Sequence, residues 1–210
     1  MTLPIITALE PDPHRPGTIR LAIDGVKFGA VPREFVAAAG LAPGRPVDPE
    51  LQPRLAQAAD AEAAYRTVLR ALERRSFARR DLERRLLRKG HPPLAVEAAL
   101  ARVAELGLLD DAGFARDFVR TRAARGRGPG RLIRDLLSMG VERAHIDRAI
   151  AAEWPEGSDR TSVPQALASK RAAQLGNLPR PVKRRRILAY LARRGFAGHE
   201  ISDMVSSVVG

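Results

Sequence analysis

The feature that most constrains this chain is a repeat read off three glycines. With Gly90, Gly140 and Gly195 superposed, Leu82, Leu132 and Ile187 stand eight residues before them, and Leu86, Leu136 and Leu191 four before. Six residues after the glycines come Val96, Ile146 and Ile201, and ten after come Leu100, Ile150 and Val205. All 12 positions are apolar in a chain that is 45% hydrophobic, so chance is a poor account of the pattern. Apolar residues four apart share one face of a helix. A glycine between two such pairs stops the first helix in a left-handed conformation and redirects the chain into the second. Each copy has a further helix upstream: Tyr65, Leu69 and Leu72 mark the first, and Phe114, Phe118 and Val119 the second. A less regular stretch from Ala166 to Ala173 precedes the third. The expectation is a mainly α protein of three tandem three-helix repeats in an elongated array, each stacked on its neighbour.

Proline and glycine mark the helix ends. Ser76 is the expected N-cap of a helix ending at Lys89-Gly90, Pro92 opens the next, and Asp110 or Asp111 caps one running to Gly126. Pro129 opens a helix ending at Gly140 and another runs to Trp154-Pro155; Glu156 to Pro164 is a polar linker. Helices starting at Ser162 and Pro181, and a last one toward Val209, complete the third repeat. Residues 1–57 read differently. Ile19, Leu21 and Ile23 alternate with polar or small residues, and Asp24-Gly25 signals a tight turn into Val26–Val31. Ile5 to Leu9 adds a candidate strand, and a short helix is expected from Pro32 to Ala39. The domain boundaries expected are therefore 1–57 for a small N-terminal β-hairpin-containing unit, then 58–107, 108–157 and 158–210 for the repeats.

Charge enters at this point. The chain carries 36 Lys+Arg against 24 Asp+Glu, a net +12, and only four of the bases are lysines. Residues 1–57 are neutral, whereas 158–210 hold ten bases and three acids. From Phe118 to Arg134 there are six arginines (Arg120, Arg122, Arg125, Arg127, Arg131 and Arg134) and no acid. Lys183, Arg184, Arg185 and Arg186 form a second block, and the bases at 79, 80, 84, 85, 88 and 89 flank the Leu82/Leu86 stripe, with Arg79, Arg80, Arg84 and Arg88 the contact candidates among them. Scattered arginines read as codon usage and a solvated surface. Clustered ones read as an electrostatic footprint for a polyanion.

Several function classes fall away. With no cysteine there is no disulfide framework or thiol nucleophile. His14, His91, His145 and His199 are scattered, and none has metal-ligand spacing, so no metal and no cofactor is expected. Gly126-Arg-Gly-Pro-Gly130 resembles a phosphate-binding loop only in its glycines, since no strand precedes it and no Gly-Lys-Ser/Thr follows. No apolar run approaches the roughly 20 residues of a membrane helix, and the N-terminus lacks a signal peptide's pattern, so the expected compartment is the cytoplasm. Aromatics are 4%, which disfavours a base-stacking platform. Two helices around a glycine turn also fit a helix-turn-helix transcription regulator, and that reading stays open on these residues alone.

A longer run of residues then resembles the RecX regulators of the bacterial RecA recombinase. It comprises Arg75-Ser76, Leu82, Leu86, Lys89-Gly90, Gly107-Leu-Leu-Asp-Asp111, Phe114-Ala115 and Phe118-Val119. It continues through Arg122, Gly126, Gly128-Pro129, Arg131, Leu136, Gly140-Val141, Ile146 and Ala149-Ile150. The resemblance covers about residues 65–150; the third repeat departs from it by the insertion-like Gly176 to Pro181. It implies a non-enzymatic protein that binds the RecA–single-stranded-DNA filament and inhibits strand exchange, ATPase and coprotease activities, modulating recombinational repair and the SOS response. The partners implied are RecA and single- or double-stranded DNA met through phosphates, with the chain acting as a monomer. The fourteen candidate bases named above would pair with RecA carboxylates or DNA phosphates.

Overall fold

The structure, a computed structural model, describes residues 2–209. Contacts divide the chain into two compact units, Met1–Leu109 and Asp110–Gly210.

The first unit opens with strands β1 (Ile6–Pro11), β2 (Thr18–Ile23) and β3 (Val26–Pro32), paired antiparallel in that order. Asp24 and Gly25 both take positive φ, 49° and 78°, the turn whose twist matches that of the flanking strands. A short helix α1 (Arg33–Ala38) follows. Helix α2 (Leu51–Leu72) then runs unbroken through residues 57 and 58. Its first half gives Leu51 and Leu55 to the core under the sheet, with Ile6, Leu21, Leu41 and Val47. Its second half gives Val68 and Ala71 to the core of the first repeat, where Leu82, Leu86, Val96, Leu100 and Val103 also lie. That repeat is completed by α3 (Arg79–Arg88) and α4 (Pro93–Glu105), with Ala64 meeting Ala95 and Ala99 so that α2 and α4 approach closely.

One buried charge ties the sheet to the repeat. Glu62 on α2 is 3% exposed; it accepts from the Thr18 hydroxyl of β2 at 3.0 Å and from the Arg102 guanidinium of α4 at 3.1 Å. Arg102 also lies over the Tyr65 ring, 4.1 Å from its centroid.

The second unit holds α5 (Asp111–Ala123), α6 (Pro129–Ser138) and α7 (Arg143–Glu153), then α8 (Ser162–Gln174), α9 (Arg180–Arg194) and α10 (His199–Val209). Asp110 caps α5, its carboxylate accepting from the Gly113 amide at 2.8 Å, as its place before the helix predicts. Ser76 does not cap α3. The helix begins two residues later, after an extended Ala78, because Phe77 is drawn into the core and fixes the entry by packing.

Of the 12 repeat positions, 11 are buried and Ile150 is half-buried. The three turns are the same turn. Gly90, Gly140 and Gly195 have φ of 83°, 82° and 96°. The amides of His91, Val141 and Phe196 reach back to the carbonyls of Leu86, Leu136 and Leu191 at 3.2, 3.1 and 3.0 Å. This six-to-one bond defines a Schellman stop, which satisfies carbonyls that the helix end would otherwise orphan.

The first of these turns carries a titratable group. Burial, with the charges of Lys89 and Arg70, lowers the pKa of His91, whose Nε2 lies 3.2 Å from the Thr67 hydroxyl. The fold therefore favours neutral imidazole, whereas the unfolded chain takes up a proton near 6.5. Stability from this group is complete above that pH and is lost as pH falls below it. Comparing urea midpoints of the wild type and His91→Gln across that range should show a shallower acid loss in the variant; parallel curves would remove His91 from the account.

Candidate polyanion interface

The sequence-predicted bases fall into three groups. On α3, Arg80, Arg84 and Arg88 form an exposed ladder, with the Arg84 and Arg88 Nε atoms each donating to the carbonyl four residues back at 3.3 Å. Arg79 points the other way and donates to the Leu100 carbonyl at 3.4 Å, bracing α3 against α4.

In the second repeat the run from Arg120 to Arg134 divides by partner. Arg120 pairs with Asp117 at 2.7 Å and Arg131 with Asp135 at 2.9 Å. Arg122 stacks on Phe118, 3.6 Å from the ring centroid. The stretch is free of acids in sequence only up to Arg134, and helical spacing delivers Asp117 and Asp135 from either side. Arg125, Arg127 and Arg134 are exposed, with no carboxylate in reach among the described residues. In the third repeat Arg184 donates to the hydroxyls of Ser206 and Ser202 at 3.0 and 2.7 Å, joining α9 to α10. Lys183 is half-buried, while Arg185 and Arg186 are exposed.

A cleft forms where the second and third repeats meet. Arg122 in the last turn of α5, with Arg125 and Arg127 in the turn that follows it, faces Tyr190, Arg193 and Arg194 of α9 across a cavity of about 420 Å³. The block Lys183–Arg186 lies toward the opposite end of α9, about 15 Å from Arg194 by helical rise. Arg193, Arg194 and Tyr190 were not among the predicted site residues. Their only sequence signal is the pair of bases in the last turn of α9, which suits the helix dipole equally well.

The glycine motif explains how the cleft is held. The amides of Gly128 and Gly130, at the start of α6, donate to the carbonyls of Arg194 and Gly195, at the end of α9, at 2.8 and 3.1 Å. Arg194 Nη1 returns a bond to the Gly126 carbonyl at 3.3 Å. A helix N-terminus thus meets a helix C-terminus, amide to carbonyl, and each satisfies the other's orphaned groups. The backbones approach so closely that a Cβ on Gly128 would stand 2.6 Å from the Gly195 carbonyl carbon. One on Gly195 would overlap the Arg131 amide. The glycines are there for a joint between repeats.

The first unit has a basic cleft of its own, about 420 Å³, lined by Arg70, Arg74, Arg75, Arg85 and Lys89 around Phe77. Arg75 lies 3.7 Å from the Phe77 ring centroid, and Arg85 Nε is buried without a hydrogen-bond partner. None of these five was among the predicted site residues. Among the described residues no group of three or more His, Cys, Asp or Glu could hold a metal ion, and no helix is long and apolar enough to cross a membrane.

Comparison with known proteins agrees with this architecture. The family model for the second three-helix domain of RecX matches residues 110–150, which span α5 to α7. The chain is 36% identical over 146 residues to the regulatory protein RecX of Halorhodospira halophila, covering 68% of this chain and 86% of that protein. It is 33% identical over 144 residues to that of Pseudomonas entomophila, covering 69% and 90%. A crystal structure of regulatory protein RecX superposes with a TM-score of 0.77 at 24% identity, covering 98% of this chain and all of that one. RecX from Lactobacillus salivarius superposes with a TM-score of 0.60 at 20% identity, covering 71% and 96%. With a glycine-jointed helical repeat, a matched second domain and relatives aligned over most of their length, this chain belongs to the RecX family.

Proposed function

We propose that this protein is a non-enzymatic regulator that binds the RecA–single-stranded-DNA filament and inhibits its ATPase, strand-exchange and coprotease activities. It thereby tempers recombinational repair and the SOS response in the cytoplasm. The observation that carries this reading is the cleft of Arg122, Arg125, Arg127, Arg193 and Arg194, in which like charges are gathered with no carboxylate lining the cavity. Such a concentration of guanidinium groups is complementary to a surface of carboxylates or phosphates, and Arg makes the bidentate contacts that either group accepts. Arg134, Arg185 and Arg186 are further exposed bases of the second unit, and Arg80, Arg84 and Arg88 form a separate exposed ladder on the first. Arg79, Arg120, Arg131 and Arg184 brace the fold as well, each already engaged by a neighbour. DNA contact, where made, is to phosphates, and its affinity falls steeply with salt. A monomer suffices for these contacts.

The test is RecA ATPase on single-stranded DNA, titrated with the wild type and with Arg127→Glu/Arg193→Glu. Both side chains are exposed, so reversal leaves helix content intact, whereas reversing Arg131 would also set a new carboxylate against Asp135. The wild type should inhibit, and the double variant should need at least ~10-fold more protein, equivalent to losing about 1.4 kcal/mol of binding. Unchanged inhibition would remove the cleft from the interface. Sequence-specific duplex binding with no effect on RecA would replace this reading with that of a transcription regulator.

A further inference from the structure

The arginine cleft is expensive to assemble. Docking the third repeat on the second brings five guanidinium groups around one cavity, and mutual repulsion opposes the docking that the glycine joint secures. Arg125, Arg127 and Arg193 have no ion-pair partner among the described residues to offset it. Tyr190 lies against the same cavity, with the Arg194 guanidinium 4.9 Å from its ring centroid and that of Arg171 at 5.8 Å on α8.

We propose that this cleft is a binding site for a compact oligophosphate, of the nucleoside triphosphate class, and that the bound ligand clamps the third repeat onto the second. Size and charge both fit. The cavity's volume of about 420 Å³ falls within the range typical of small-molecule sites, and a triphosphate carries about four negative charges to set against five positive ones. Guanidinium groups take phosphate oxygens bidentately, and those at and just after the end of α5 can then share one ligand with those on α9. Tyr190 adds an aromatic edge to the lining, its ring already holding the Arg194 guanidinium in place. Because repulsion across the joint is relieved only when the anion is present, ligand binding and repeat docking are linked, and each strengthens the other. This site shares arginines with the proposed filament interface and rests on that reading for their availability. Its test uses the protein without RecA, so the two can fail separately.

The chain contains its own reporter. Trp154, the sole tryptophan, lines a smaller cavity at the same joint with Pro129, Phe196 and Ile201, so its fluorescence follows the docking of the two repeats. Full-length protein would be melted with inorganic triphosphate, with ATP, with oligothymidylate, and with sodium sulfate at matched ionic strength. The Trp154 midpoint should climb by about 5 °C for each tenfold rise of triphosphate or ATP beyond saturation. Sulfate should do little, and the rise should be largely abolished in Arg127→Gln/Arg193→Gln, whose unliganded midpoint should lie above that of the wild type because two of the opposing charges are gone. Equilibrium dialysis of labelled ATP against both proteins should show saturable binding only to the wild type. The proposal is overturned if neither triphosphate nor ATP shifts the midpoint or binds, if sulfate matches them, or if the double variant responds equally. A shift with oligothymidylate alone would likewise overturn it and make the cleft a groove for a strand.

Discussion

Gly195→Ala should separate the third repeat from the second and cost the second unit at least ~3 kcal/mol. Two effects combine. Gly195 sits at φ 96°, where an L side chain is strained by about 1–3 kcal/mol. Its Cβ would also overlap the backbone amide of Arg131 and lie 2.7 Å from the Gly128 carbonyl oxygen, atoms that cannot rotate away. The joint must open to accept it, which breaks the bonds from Gly128 to Arg194 and from Gly130 to Gly195. Denaturation followed by Trp154 fluorescence should show the loss directly, while amide exchange in α2 and α4 stays as in the wild type. The equivalent substitution at Gly90 is the control. That glycine has nearly the same φ, 83°, but open space around the added Cβ, so it should cost only the backbone strain. Equal losses at the two positions would mean that the joint contributes nothing beyond the turn.

Glu62→Ala should be the most damaging single polar truncation in the first unit, costing about 2–3 kcal/mol. The substitution leaves a void between β2, α2 and α4 and strips the acceptor from the buried Thr18 hydroxyl and from Arg102. Arg102 keeps a side chain that is 40% exposed and can turn to water, which holds the loss below that of a fully buried pair. Glu62→Gln preserves the shape and the bond to Thr18 while removing the charge, and should cost about half as much. Far-UV circular dichroism in urea, with amide exchange in β2 and α4 to localise the change, measures both. A loss under about 0.5 kcal/mol for the alanine variant would show that the ion pair is incidental to the attachment of the sheet.

Most of the helical architecture was legible because its signals are local. A Schellman glycine, a proline at the start of a helix and apolar residues four apart lie within one or two turns of chain, so their spacing survives without knowledge of what packs where. The hairpin at Asp24-Gly25 was readable for the same reason. The arginine cleft was not. Gly126 and Arg194 meet across 68 residues of sequence, and nothing local to either announces the other. The glycines from 126 to 130 show the limit most sharply. Their spacing lacks the strand and Gly-Lys-Ser/Thr of an NTPase loop, but their purpose, close approach to a second backbone, is written in the partner helix. Glu62 was equally silent, since an acid in a helix reads as a solvated face until a sheet is laid across it. The composition change near residue 57 is real, yet α2 passes through it without a break because its two halves face different cores.

That shared helix sets a timetable. A nascent chain presents β1, β2 and β3 first, but Leu51 and Leu55, which complete the core beneath them, arrive only with α2. The far half of α2 has nothing to pack on until α3 and α4 have been made. The hairpin therefore waits, its apolar face uncovered, for about thirty residues of synthesis between Val26 and Leu55. The second and third repeats complete their cores after that interval. The stretch left uncovered during that wait carries no net charge, residues 1–57 holding six acids and six bases.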